Sequence, residues 1–307
     1  MTGTELLAEH EWQPMAAAHR DRMRVWTGPH RERKARGEPH PVFDFLFTYY
    51  SHRPSLLERW HPGPSRVLAG DAARRFLRRG EYVATEDGVR LDLTGLTENR
   101  LGTLRFIRSL LAATADRPAR LNCFGLHEWA MVYRLPDDEV RHAGVPLRLG
   151  AAATDDVVEA LDIRCSHYDA FRFFTEPATP RNALAPTRET QREHEQPGCL
   201  HANMDLYKWA YKLYPYLSAE LVADCFELAA EIRELDMRAS PYDLSGYGYP
   251  AVAIETAAGR AHYARAQADF TRRAAPLRQR LIDVCDLLLA AQTTRSCDVA
   301  LNRHRTD

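Results

Sequence analysis

The stretch SAELVADCFELAAEIRELDMRASP limits most strongly how this chain can fold. Ser218 stands where a hydroxyl caps a helix N-terminus, and Leu221, Val222, Cys225, Leu228 and Ile232 recur on one face at the helical period. The pattern stops near Arg238, just ahead of Pro241. Other segments repeat this signature. EWQPMAAAHRDRMRVWTGPHRERKARG reads as an amphipathic helix with a basic, glycine-terminated end, and residues 98–115 and 123–134 read as helices. A last helical stretch begins at TAAGRAHYARAQ, with Pro276 expected to kink or divide it. Only EYVATEDGVRLDL has strand character, as a hairpin turning at Asp87-Gly88. With no internal repeat, the expected fold is mainly α: one helical domain over residues 1–292 with a small β-hairpin, and a polar, flexible tail over 293–307.

Residues 175–198, TEPATPRNALAPTRETQREHEQPG, contain four prolines and no sustained apolar period. A segment this long inside a compact domain is expected to be a functional loop or lid, or else a linker. It separates two distinctive stretches, RCSHYDAFRFF before it and CLHANMDLYKWAY after it, so it is read as folding over a site that those flanks build.

At 307 residues the chain has ample apolar material for a core. The N-terminus has no apolar signal region, and no segment approaches the ~20 apolar residues of a membrane span, so a soluble, cytoplasmic protein is expected. Its six cysteines are scattered without a Cys-x-x-Cys pair and read as reduced thiols. A formal net charge of -1 argues against strong non-specific binding to nucleic acid, although residues 1–80 carry fourteen Arg/Lys against nine Asp/Glu.

Two stretches share a pattern that can carry chemistry, Cys165-Ser-His167-Tyr-Asp169 and Cys199-Leu-His201-Ala-Asn-Met-Asp205. On one helix, His201 and Asp205 share a face at i,i+4, giving a metal or acid-base pair. With His127 and Glu128 of FGLHEWAMVY, these residues form a histidine and carboxylate set of the kind that holds zinc or non-haem iron. The candidate ligands are His127, His167 and His201 with Asp169 and Asp205. For any one of these histidines, a hydrogen bond to backbone in a helical core explains its presence equally well. Trp129, Tyr168, Tyr207 and Trp209 lie near these carboxylates and can wall a pocket for a flat cation, or simply pack in the core.

Lysine is rare here, three residues against thirty-eight arginines, and two of the three, Lys208 and Lys212, stand one helical turn apart beside Asp205. They read as a pair gripping a phosphate or carboxylate, as one lysine lowered in pKa by burial to serve as a nucleophile, or as solvated surface residues. ELDMRASPYDL places Asp236, Arg238 and Asp243 at a helix end, where a buried ion network can support the site. No GxGxxG fingerprint, GxxxxGK[ST] loop or GxSxG elbow occurs, which disfavours dinucleotide oxidoreductases, P-loop NTPases and α/β-hydrolases.

Taken together, HPVFDFLFTYYSHRPSLLERWHPG, NCFGLHEWAMVYR, RCSHYDAFRFFT, EQPGCLHANMDLYKWAYKL and ELDMRASPYDL resemble a group of actinobacterial proteins labelled 3-methyladenine DNA glycosylase, over about residues 10–290. The resemblance implies release of an alkylated purine from damaged DNA, without a cofactor. A cationic base would be flipped out and held against aromatic faces while a carboxylate meets the developing oxocarbenium ion. By that resemblance Asp205, with Asp169 and Glu128 as rivals, is the carboxylate. Trp129, Tyr168, Tyr207 and Trp209 are the cage, and Lys208 and Lys212 are substrate contacts. The chain lacks the helix-hairpin-helix turn and following aspartate of well-understood glycosylases. The alternative expectation is an iron or zinc enzyme acting on a small molecule.

Overall fold

The computed structural model describes residues 4–94, 96–136 and 145–303, with side chains described as far as residue 292. In chain order the elements are β1 (Glu5–Leu7), α1 (Glu9–Arg36), α2 (Asp44–Thr48), α3 (Pro54–Leu57), β2 (Arg66–Leu68), β3 (Tyr82–Ala84), β4 (Val89–Leu91) and α4 (Glu98–Ala115). They continue with α5 (Leu126–Ala130), α6 (Gly150–Ala160), α7 (Tyr168–Phe171), α8 (Gln191–His194), α9 (Leu200–Lys212), α10 (Ala219–Arg238) and α11 (Ala257–Arg303).

The protein is mainly α, as its periodicities predict. α9 is buried on nearly every side, His201, Asn203 and Asp205 included, which makes it a central helix rather than an amphipathic surface one. It packs against α10 and α11, and α11 also covers α4. Ser218 caps α10 by accepting from the Leu221 amide, as its place in the sequence predicts. The expected hairpin forms between β3 and β4. Gly88 at its turn has φ +151°, and a Cβ there would lie 2.1 Å from the Leu68 carbonyl oxygen, so no side chain fits. The hairpin belongs to a four-stranded sheet of order β1-β2-β4-β3, whose parallel β1–β2 pair is the part without a sequence signal. Strands of three residues are too short to show a period.

Several expectations are corrected. Pro276 lies inside α11 without dividing it. Within the expected tail the backbone of α11 runs on to Arg303, where neither Gly nor Pro interrupts the chain; residues 304–307 lie outside the described residues. The helix expected over 123–134 shrinks to α5, since Phe124 and Gly125 take left-handed conformations (φ 46° and 70°) ahead of it. Residues 175–198 are not structureless. They form short helical turns pinned by buried polar groups: the Asn182 side chain bridges the Cys165 backbone in both directions, and Gln191, Glu195 and Gln196 are buried.

No helix among the described residues is long and apolar enough to cross a membrane. Cys123, Cys165, Cys199, Cys225 and Cys285 are free thiols.

Candidate active site

α5, α9 and α10 each bring one ligand-capable side chain to a common point. The left-handed turn at Phe124-Gly125 re-aims the chain so that His127 and Glu128 both enter the interior from one short helix. A non-glycine residue held at positive φ beside such a cluster is the kind of local strain that accompanies functional sites. His201 comes from the first turn of α9 and Asp236 from the last turn of α10. One nitrogen or oxygen from each of His127, His201 and Asp236 lies within 4.8 Å of the others. The two imidazole rings stand nearly perpendicular, with centroids 4.3 Å apart.

The contact between His127 and Asp236 is the most informative in the cluster. Nε2 and Oδ1 are 3.0 Å apart and buried, an ion-pair contact outside good hydrogen-bonding geometry, and neither atom has another partner. Two atoms bonded at ~2.1 Å and at right angles to one octahedral ion are ~3.0 Å apart, so this ion-pair spacing is also compatible with shared coordination. Burial opposes ionisation of Asp236, but the imidazoles of His127 and His201 and the Arg233 guanidinium outweigh it and hold its carboxyl below the ordinary range. His201 is pushed well below its ordinary value, by burial first and by His127 second. A neutral imidazole and an ionised carboxylate are the forms that bind metal.

Arg233 fixes the arrangement from α10. Its Nη1 donates to Glu128 Oε1 at 2.8 Å and to Asp236 Oδ2 at 2.9 Å, and its guanidinium lies over the Phe45 ring at 4.2 Å. Its Nε is buried without a partner. A cavity of about 310 Å³ opens onto the group, lined by Glu128, His201, Arg233 and Asp169 with Phe45, Thr48, Tyr49, Met131, Ala170 and Phe173. The aromatic walls come from α2 and the residues just after α7.

A second ionic cluster borders the same cavity. Asp205 on α9 accepts from Lys208 Nζ at 2.9 Å, from His167 Nε2 at 3.3 Å and from the Tyr50 hydroxyl at 3.1 Å. Lys208 also donates to Asp169 at 3.0 Å, and Arg172 donates to the other Asp169 oxygen at 2.7 Å. Burial works against each charge, yet the Lys208 ammonium draws Asp169 down to about 2 and Asp205 below its ordinary value. Lys208 is raised in turn, since the two carboxylates outweigh its burial. His167 is raised because Asp205 and Glu195 overcome burial, and its Nδ1 accepts the Ala170 amide at the start of α7.

Of the predicted ligands, His127 and His201 come together, but the carboxylate that joins them is Asp236. Asp205 and His201 share a helix, yet four residues advance ~6 Å along the axis and turn ~40° past a full circle, and Asp205 meets Lys208 and His167 instead. His167 is engaged by Asp205 and Glu195 and is not part of the cluster. Glu128 and Asp169 both line the cavity. Trp129 is fully buried with its indole N–H donating to the Ala239 carbonyl, and Tyr207 sits in the core against Tyr50 and Phe226, so neither faces the cavity. Tyr168, Trp209 and Lys212 line a neighbouring groove of about 790 Å³ that shares Asp169 with the cavity. Lys208 lines this groove as well, held between two carboxylates, while Lys212 is exposed.

Sequence reasoning missed Arg233, Phe45 and Tyr49. The available signal was a buried-helix pattern on α10 so nearly continuous that Arg233 and Asp236 had to lie inside it. Of the three residues expected to form an ion network there, only Asp236 does so. Arg238 pairs with Glu234, and Asp243 caps the Ser245 amide.

Comparison with family models, with curated proteins and with solved structures finds no match for this chain.

Proposed function

We propose that this chain is a metal-dependent enzyme acting on a small molecule, with His127, His201 and Asp236 holding an iron or zinc ion. The observation that carries the reading is the 3.0 Å approach of His127 Nε2 to Asp236 Oδ1, outside good hydrogen-bonding geometry, beside His201. Two histidines and one carboxylate leave further coordination positions open for water or substrate. A metal so held polarises a substrate oxygen or activates bound water. Glu128 lies on the cavity wall next to these ligands, where it can take or return a proton, and Arg233 can complement negative charge developing there. The cavity volume stands at the lower end of the ~300–1,000 Å³ usual for small-molecule sites.

The test is elemental analysis of the purified protein after loading with Fe(II) or Zn(II). The expected content is about one equivalent, as for a single three-ligand site. His201→Ala and Asp236→Asn lose it, and His167→Ala retains it. A wild-type protein that takes up neither metal rules the reading out.

A second reading, release of an alkylated base from DNA, is favoured by one observation: aromatic faces (Phe45, Tyr49, Phe173) and carboxylates (Glu128, Asp169) share the cavity wall, as a cationic purine requires. Incubation with methylated double-stranded DNA tests it. Release of free base that survives a chelator supports glycosidic cleavage without metal, release abolished by the chelator unites the two readings, and no release removes this one.

A further inference from the structure

Behind the two metal-facing imidazoles lies space that the proposed chemistry does not use. An enclosed pocket of about 20 Å³ is lined by His127, His201, Cys165 and Cys199, among others. It shares Cys123, Arg164, Ser166 and Gln196 with an outer cavity of about 240 Å³. The outer cavity gathers Arg117, Arg120 and Arg164 against a single carboxylate, Glu193. Among the described residues no ion pair forms at any of the three arginines.

Some arginines elsewhere, Arg278 among them, also lack a carboxylate, but here three such side chains line one cavity. Arg22, Arg148 and Arg273, by contrast, each face a glutamate at 2.5 Å. Arg117 is also not free to swing away. Its Nη1 donates to the Ala113 and Glu195 carbonyls at 2.9 Å each, and its Nη2 to the Arg192 carbonyl at 2.5 Å. The carbonyl bonds hold the cation without neutralising it. Like charges gathered without carboxylates repel one another, and a bound anion relieves the repulsion.

We propose that this outer cavity binds a phosphate group, either inorganic phosphate or the head of a small phosphomonoester. Guanidinium groups offer paired donors that match phosphate oxygens. The lining has an excess of two positive charges, which suits a dianion better than a monocarboxylate. At ~30 Å³ per water the cavity is worth roughly eight water molecules, more than one phosphate fills, so an organic portion fits beside it. The inner pocket has room for only about one water, so the ligand stays in the outer cavity and is distinct from the substrate of the metal centre. Its nearness to that centre rests on the function proposed above; the anion site itself does not.

Isothermal titration of the full chain with inorganic phosphate tests the proposal, with acetate as the second arm. Three proteins are compared: the wild type, the double variant Arg120→Ala/Arg164→Ala, and His201→Ala. Arg120 and Arg164 are exposed, so the double variant keeps its fold, which its circular dichroism verifies. Phosphate is expected to bind the wild type and His201→Ala alike, and the double variant at least about tenfold more weakly, with acetate also at least about tenfold weaker. Absence of phosphate binding, binding unchanged in the double variant, loss of binding in His201→Ala, or acetate binding as tightly as phosphate would each overturn it. A wild type that takes up no metal yet binds phosphate through these arginines removes the proposed function and leaves the anion site standing.

Discussion

Two ionic clusters border the same cavity, and they differ in how completely their polar atoms are used. Around Lys208, both Asp169 oxygens and both Asp205 oxygens accept hydrogen bonds, and His167 is engaged at both ring nitrogens. Around Asp236, Arg233 is shared by two carboxylates while His127 Nε2, Asp236 Oδ1 and Arg233 Nε stay buried without hydrogen-bond partners. Buried polar groups without partners cost about 1–3 kcal/mol each, and a bound ion at this point would offset that cost. The first cluster is a cross-link joining α7 and α9 to Tyr50, just after α2. The second is the cluster to which the proposed metal is assigned. Richness in charged residues therefore does not distinguish the two clusters, whereas the unbonded His127 Nε2, Asp236 Oδ1 and Arg233 Nε do.

The largest expected effect breaks the satisfied cluster. Lys208→Ala leaves Asp205 buried with its chief counter-charge gone, and breaking a buried pair costs about 3–5 kcal/mol. Urea unfolding should show that loss, while metal uptake at His127, His201 and Asp236 stays near wild type. A variant that unfolds like wild type would show Asp205 to be neutral or hydrated.

A smaller effect sharpens the same contrast through pH. Asp169 is depressed from 3.8 to about 2 and Asp205 is depressed as well, so the folded state binds these protons less readily than the unfolded state. The stability they contribute is complete above about 4 and is lost as pH falls toward 2 and below. Lys208→Met removes the main cause of both depressions. Acid unfolding followed by circular dichroism should move to higher pH in this variant, and an unmoved acid midpoint would show that Lys208 does not set these values.

The smallest effect concerns the other lysine. Lys212 is exposed at the groove rim and has no carboxylate partner among the described residues, so Lys212→Ala should change unfolding free energy by no more than about 0.5 kcal/mol. A larger loss would mean that Lys212 is packed or paired, and that the two lysines are more alike than their surroundings indicate.

How much of this was legible in the sequence depends on distance along the chain. The helical class, the Ser218 cap, the β3–β4 hairpin and the place of His127 and His201 in the interior follow from periodicity and capping chemistry within a few residues. The left-handed turn that shortens α5 was less legible, because Phe124 bears no mark of its φ and only Gly125 hints at one. The same holds for residues 175–198, whose prolines suggested a lid although buried Gln191, Glu195 and Gln196 tie the segment down.

What the sequence determined by itself is which side chains exist to be used: a scarcity of lysine, histidines beside carboxylates, and an α10 helix apolar enough to draw Arg233 and Asp236 inward. Only the tertiary structure decided which of them meet. His201 and Asp205 are four residues apart, yet they serve different clusters because the second helix packed on each differs. His127 on α5 and Asp236 on α10 are more than a hundred residues apart, and the tertiary fold sets them 3.0 Å from each other. Helical periodicity orients a side chain about its own axis, whereas the partner it faces is chosen by how helices pack, and packing is a property of the whole chain.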